Sequence, residues 1–76
     1  MSKFDKLVKQ ILDGKPISYK EAETLLKKLD FDLRIRGSHH IFGKPNYERN
    51  VSLKKRSQLM PYRMRLLQEV LKDHGY

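Results

Sequence analysis

The residues best suited to chemistry in this sequence are two adjacent histidines, His39 and His40, which follow the Gly37–Ser38 pair. Arg34 and Arg36 come just before that pair. An imidazole exchanges a proton near neutral pH, and a guanidinium holds phosphate oxygens and stabilises developing negative charge. The grouping favours chemistry on a phosphodiester. RNA supplies its own nucleophile, the 2′-OH, so such chemistry needs no metal in principle. The ordinary alternative is a solvated surface histidine beside surface arginines.

The segment before the histidines has the pattern of a half-buried strand that enters a hairpin. Apolar residues at 31, 33 and 35 alternate with charged residues at 32, 34 and 36. Gly37–Ser38 is typical of a two-residue hairpin turn, which pairs Arg36 with His39 and Ile35 with His40. A three-residue turn would exchange the faces of the two histidines, because the side-chain period of a strand is two.

This register divides the hairpin into two faces. The residues expected on the core face are Phe31, Leu33, Ile35, His40 and Phe42. The residues expected on the open face are Arg34, Arg36, His39 and Ile41. We therefore expect His39 to be exposed beside two arginines and His40 to point toward the helices. Adjacent strand residues cannot chelate one metal ion together, and with no Cys in the chain we predict no metal site and no cofactor.

Three amphipathic patterns predict helices around this hairpin. The first covers residues 3–13, the second about 19–29 with a capping box that begins at Ser18, and the third follows Pro61. A third strand is predicted near 49–54. The order α-α-β-β-β-α predicts an α+β fold in which a three-stranded antiparallel sheet packs against helices. We expect one domain over residues 1–76.

The composition indicates a polyanionic partner. The 76 residues include 17 Lys and Arg against 9 Asp and Glu, a net charge of +8. Such an excess favours nucleic acid, an anionic membrane surface or an acidic protein. The absence of Cys excludes disulfides and thiol chemistry. We expect no signal peptide and no membrane span, because no apolar run approaches the ~18 residues that a transmembrane helix needs.

Further cations follow the hairpin and predict a surface that tracks phosphates. They are Lys44, Arg49, Lys54, Lys55 and Arg56. The alternative is a solvated loop whose charge protects a strand edge. Tyr47 and Tyr62 are candidates either for stacking on bases or for packing.

The Gly37–Ser38 pair and His39, placed after a helix and a short strand, resemble the HicA toxin family of mRNA interferases. The stretch SYKEAETLLKKLDFDLRIRGSHHIF and the closing LLQEVLKDHGY are similar to that family's helix, strand, catalytic turn and final helix. The resemblance implies a fold like the double-stranded-RNA-binding domain and a cytoplasmic ribonuclease that cleaves mRNA. It also implies that His39 is the catalytic residue and that a HicB-type antitoxin covers this site. We expect Gly37, Ser38 and His40 to support His39.

The chain departs from the family pattern in two places. Many members carry a Pro and a His shortly after the third strand, where this chain has Ser52-Leu53-Lys54-Lys55-Arg56-Ser57. The helix predicted at 3–13 is an addition that compact members often lack. The missing second His motivates one alternative, an RNA-binding module without catalysis. A further alternative is a protein-interaction module whose positive charge serves only an acidic partner.

Overall fold

The computed structural model describes residues 2–55, 59 and 61–76 of the chain. Three helices and three strands follow one another in the predicted order α-α-β-β-β-α: α1 Lys3–Leu12, α2 Tyr19–Lys28, β1 Asp32–Arg36, β2 His39–Gly43, β3 Val51–Lys54 and α3 Pro61–Asp73. The strands form one antiparallel sheet in the order β1-β2-β3. The α+β class is therefore confirmed, while the likeness to the double-stranded-RNA-binding domain stays a prediction.

Capping interactions fix where the first two helices begin. At α1, the Asp5 backbone N–H donates to Ser2 Oγ at 3.1 Å. At α2, the Ser18 side chain accepts from the Glu21 backbone at 3.1 Å, and the Glu21 carboxylate accepts from the Ser18 backbone at 3.0 Å. These bonds satisfy N–H groups that have no partner within the helix, so each helix starts where its sequence predicts.

The helices end one residue earlier than predicted. The expected range 3–13 is Lys3–Leu12, with Asp13 as the capping residue, and the expected range 19–29 is Tyr19–Lys28, with Leu29 as the cap. Gly14 follows α1 with a φ of +78°, a conformation that costs little without a Cβ. The backbone N–H groups of Asp13 and Leu29 still donate to carbonyl oxygens of the last turns, so the predicted ranges include the capping residues.

The hairpin register agrees with the predicted pairing. Arg36 lies opposite His39 and Ile35 opposite His40. The next pairs are Arg34 with Ile41 and Leu33 with Phe42. Gly37 has a φ of +59°, a conformation that costs least for a residue without a Cβ. The two-residue turn therefore decides which histidine lies on which face of the sheet.

One side of the sheet packs against the helices to form the core. The fully buried side chains include Phe42, Val51 and Leu53 from the strands and Ile11, Leu25, Leu26, Leu67, Val70 and Leu71 from the helices. Their burial supplies most of the driving force for folding, because apolar area removed from water contributes about 25 cal/mol per Å².

Two predictions about the strands are wrong in part. Ile35 shares the core face by register, but its side chain is 61% exposed. Ile35 lies next to the turn of the hairpin. The alternation of apolar and charged residues predicts the face of the sheet on which a side chain lies, but it does not predict how much of that face the helices cover. The third strand is shorter than the predicted 49–54, since β3 is Val51–Lys54 and Arg49 precedes it.

Candidate functional site

The open face of the sheet, which we define as the side away from the helices, carries a row of three basic residues at the turn end of the hairpin. His39 pairs with Arg36 on β1 and with Lys54 on β3. Directly opposite residues in antiparallel strands have Cβ atoms about 4.5–5.5 Å apart. The imidazole therefore lies between a guanidinium and an ammonium, on the face predicted from the sequence.

All three side chains of this row are exposed, and so is Arg34, which lies one step along the same face of β1. Within the part of the chain that the structure describes, ion pairs join Lys27 to Glu23 and Arg49 to Asp73. Arg34, Arg36 and Lys54 take part in neither pair. Their charges are therefore available to a polyanion that approaches the open face.

His40 lies on the opposite side of the sheet, as predicted, and is half-buried against α2. Its Nδ1 is 2.6 Å from the Tyr19 hydroxyl, and the two rings meet edge to face with centroids 5.1 Å apart. The Tyr19 hydroxyl also donates to Glu23 Oε2 over 3.4 Å. His40 therefore positions the hairpin on the helix layer and does not share the surface on which His39 lies.

Tyr19 is the link between α2 and the second histidine. Its side chain is buried, in agreement with the packing role expected for it. Burial, followed by the nearby Glu23 carboxylate, raises the pKa of Tyr19 above its ordinary value, since both disfavour a phenolate. Tyr19 therefore keeps its proton at neutral pH and remains a hydrogen-bonding partner of His40.

Lys44 was predicted to bind RNA, but its ammonium makes contacts within the fold. The Nζ atom donates to the Leu29 carbonyl oxygen at 3.0 Å and lies 2.9 Å from His74 Nε2. The His74 Nδ1 is 2.7 Å from the Val70 carbonyl oxygen, which can only accept. Nδ1 therefore carries the hydrogen and Nε2 accepts from Lys44, so the ammonium of this lysine is bound within the fold.

Arg49 and Tyr47 converge on one carboxylate of α3. The Arg49 Nε lies 3.0 Å from Asp73 Oδ2, and the Tyr47 hydroxyl donates to the same oxygen at 2.8 Å. Burial, with the hydrogen bond to Asp73 second, raises the pKa of Tyr47 to about 12. The Tyr47 ring packs edge-on against Phe31 and His74. The Tyr47 ring is therefore used for packing within the fold, and Arg49 is already paired with the Asp73 carboxylate.

Of the remaining residues predicted to contact RNA, two are exposed and one lies outside the described residues. Lys55 follows β3 directly and is exposed. Arg56 lies outside the described residues. Tyr62 is 57% exposed, and the Arg63 guanidinium lies 4.7 Å from the centroid of its ring. Lys55 follows Lys54 of the basic row in sequence and lies beyond the last residue of β3.

A depression of about 370 Å³ occupies the other end of the open face. Its lining includes Asp32, Ile41 and Asn50. Asn50 comes close to the strand because Gly43 has no side chain: a Cβ built there would lie 2.8 Å from Asn50 Oδ1. We did not predict this feature, although the alternation of Asp32 with Arg34 already placed an acid on the open face. Asn50 carries no spacing signal that could have identified it.

The described residues contain no group of three or more His, Cys, Asp or Glu side chains close enough to hold a metal ion. They also contain no helix with both the length and the apolar character to cross a bilayer. The chemical groups that the open face offers are therefore one imidazole, flanking cations and, farther along, a carboxylate beside an amide.

Comparison of the chain with models of protein families gave no match, and neither the curated proteins nor the solved structures gave a significant one. The resemblance to the HicA family therefore stands on the motif and the helix and strand pattern quoted above.

Proposed function

We propose that this protein is an endoribonuclease toxin of the HicA type that cleaves mRNA without a metal cofactor. The observation that carries the proposal is the row formed by Arg36, His39 and Lys54 on the open face. It holds one exposed imidazole between two exposed cations, an arrangement suited to a phosphodiester and its developing charge.

In the proposed reaction, His39 takes the proton from a ribose 2′-OH while that oxygen attacks the adjacent phosphorus. The bond from phosphorus to the 5′-oxygen breaks, and the 5′-oxygen takes up a proton from water or from the imidazolium. The products are a 2′,3′-cyclic phosphate and a 5′-hydroxyl. Arg36 and Lys54 stabilise the additional negative charge on the phosphoryl oxygens during the attack.

Gly37, Ser38 and His40 support the site by holding the hairpin that carries His39. Gly37 and Ser38 form the turn that sets the register, and the register sets the face on which His39 lies. His40 anchors the same strand to α2 through Tyr19. Arg34 extends the positive surface along β1 and holds a flanking phosphate, while Lys55, beyond the last residue of β3, remains a predicted contact. Arg56, which lies outside the described residues, remains a predicted contact.

The proposed partner is a HicB-type antitoxin that covers the open face, in a cytoplasmic complex. An acidic surface on that partner would compete directly with RNA for Arg34, Arg36 and Lys54. The net charge of +8 favours both interactions for the same reason.

Controlled expression in a bacterial host tests the proposal. Wild-type protein is expected to stop growth and shorten the lifetime of cellular mRNA, while His39→Ala, expressed to the same level, is expected to do neither. His39 is exposed, so its truncation leaves the core intact. A His39→Ala variant that still stops growth would overturn the assignment of His39.

A second candidate function is RNA binding without cleavage. It is favoured by one observation: the second histidine, His40, is committed to Tyr19 on the other side of the sheet. The open face of the described residues then presents one imidazole where a ribonuclease often uses two. Tight, salt-sensitive binding of RNA that stays intact would identify this function.

A further inference from the structure

We propose that the depression beside Gly43 is a nucleobase subsite that selects guanine in the RNA strand crossing the open face. The inference rests on the proposed function, because it names the substrate preference of the same surface. The depression measures about 370 Å³, which lies at the small end of ligand-binding pockets.

The position of the depression relative to His39 suits a strand that runs along β2. His39, Ile41 and Gly43 alternate on the open face, and four residues of strand span about 13 Å. Arg34 pairs with Ile41, so it lies between the two ends and also lines the depression. An RNA strand whose phosphate is bound by Arg34 would have one nucleotide near His39. The base of another nucleotide, a few positions along the strand, would lie over Gly43.

The depression differs from the rest of the face in its chemistry. The turn end is cationic throughout, whereas the lining of the depression adds the Asp32 carboxylate, the Asn50 amide and the apolar side chains of Ile41 and Pro45 to the cations of Arg34 and Lys44. A carboxylate beside a phosphate-binding surface repels the backbone of RNA. Its oxygens accept hydrogen bonds, and the groups of RNA that can donate them are on the bases and the ribose hydroxyls.

The geometry of a carboxylate distinguishes the bases. Its two oxygens accept two parallel hydrogen bonds, and guanine offers two adjacent donors, N1–H and N2–H, on one edge. Cytosine and adenine each offer one exocyclic amine beside a ring acceptor, and uracil offers one N–H between two carbonyls. The Asn50 amide can donate to guanine O6, the next group on that edge. Asp32 and Asn50 together therefore favour guanine.

Gly43 is the structural condition for this arrangement. It pairs with Asp32 across the hairpin, so its missing side chain lies on the open face next to the carboxylate. A Cβ at this position would meet Asn50 Oδ1 at 2.8 Å, which is too close for any real contact. Gly43→Ala would therefore displace the Asn50 amide without changing a charge.

The test is titration of isotope-labelled protein with each of the four ribonucleoside 5′-monophosphates, followed by amide NMR shifts. GMP is expected to bind most tightly and to shift the Asp32, Gly43 and Asn50 signals. Asp32→Asn and Gly43→Ala are each expected to weaken GMP about fivefold or more and to bring it level with the other nucleotides. Asp13→Asn, which removes one exposed carboxylate at the end of α1, is the matched control and should leave the preference unchanged.

Equal affinity for all four nucleotides, or a GMP preference that survives both variants, would overturn the guanine subsite. The titration needs no turnover, so its result is independent of whether His39 cleaves RNA. A protein that binds GMP preferentially but cuts no RNA would retain this subsite and lose the ribonuclease proposal. A protein that cuts RNA without any base preference would do the reverse.

Discussion

The Tyr19 hydroxyl lies 2.6 Å from His40 Nδ1, on the side of the sheet opposite to His39. Two histidines that are adjacent in sequence therefore have different surroundings: one is anchored to a helix and one is exposed between cations. The separation follows from the two-residue turn, which fixes the register of the hairpin.

The substitution Tyr19→Phe tests whether His40 stabilises the fold without taking part in the chemistry. The substitution keeps the buried ring but removes the hydroxyl from His40, and we expect the free energy of unfolding to fall by about 1 kcal/mol. RNA cleavage measured well below the unfolding midpoint should be unchanged, because His40 lies off the open face. Urea denaturation and a cleavage assay on the same preparation check this, and a large loss of activity in a folded variant would implicate His40 in the chemistry.

Substitution of Gly37 tests the turn. A Cβ at this position meets no atom within 4 Å, so the cost of Gly37→Ala comes only from the φ of +59°. We expect the unfolding free energy to fall by about 1 kcal/mol. Gly37→Asn should cost less, since Asn tolerates this conformation better. Equal stability of Gly37→Ala and wild type in chemical denaturation would contradict the turn geometry.

The salt dependence of RNA binding counts the phosphates that the open face neutralises. If Arg34, Arg36 and Lys54 each neutralise one, the slope of log K against log salt should be about −2 for a single strand. The double variant Arg34→Gln, Arg36→Gln should make the slope less negative by about 1.4. The charge-matched double variant Lys20→Gln, Lys28→Gln on α2 should keep the wild-type slope, and a larger effect there would place RNA on the helices.

Tyr47 gives the fold a dependence on alkaline pH. Its folded-state pKa of about 12 exceeds the ordinary value of 10.0, so its contribution to stability is complete below pH 10.0 and is lost as the pH rises toward 12. Tyr47→Phe should therefore cost about 1 kcal/mol at about pH 8 and progressively less above pH 10. Denaturation of both proteins across this range checks the difference, and a difference that stays constant with pH would contradict the raised pKa of Tyr47.

The sequence was sufficient for the hairpin because that prediction depends on local rules. The alternation around Arg34 and Arg36 defines two faces, and Gly37 allows the turn that sets their register. From those two facts follow the exposure of His39 and the half-burial of His40. Capping chemistry at Ser18 predicted the start of α2 in the same way.

The features that the sequence did not reveal depend on contacts between distant elements. Lys44 looks like a free cation until α3 brings His74 to its ammonium, and Arg49 looks free until Asp73 is placed beside it. The 61% exposure of Ile35 depends on how far the helices reach over the sheet, which no local pattern encodes. Asn50 becomes a candidate residue only because the chain returns close over Gly43.

Cleavage of a long unstructured RNA by purified protein in excess EDTA tests the central claim most directly. The wild-type protein should cut the RNA and leave 2′,3′-cyclic phosphate ends, and His39→Ala should be slower by about 10²–10⁴-fold while it keeps the wild-type unfolding midpoint. Intact RNA with the wild-type protein, or equal cleavage by the folded variant, would contradict the claim that His39 carries out the chemistry on the open face.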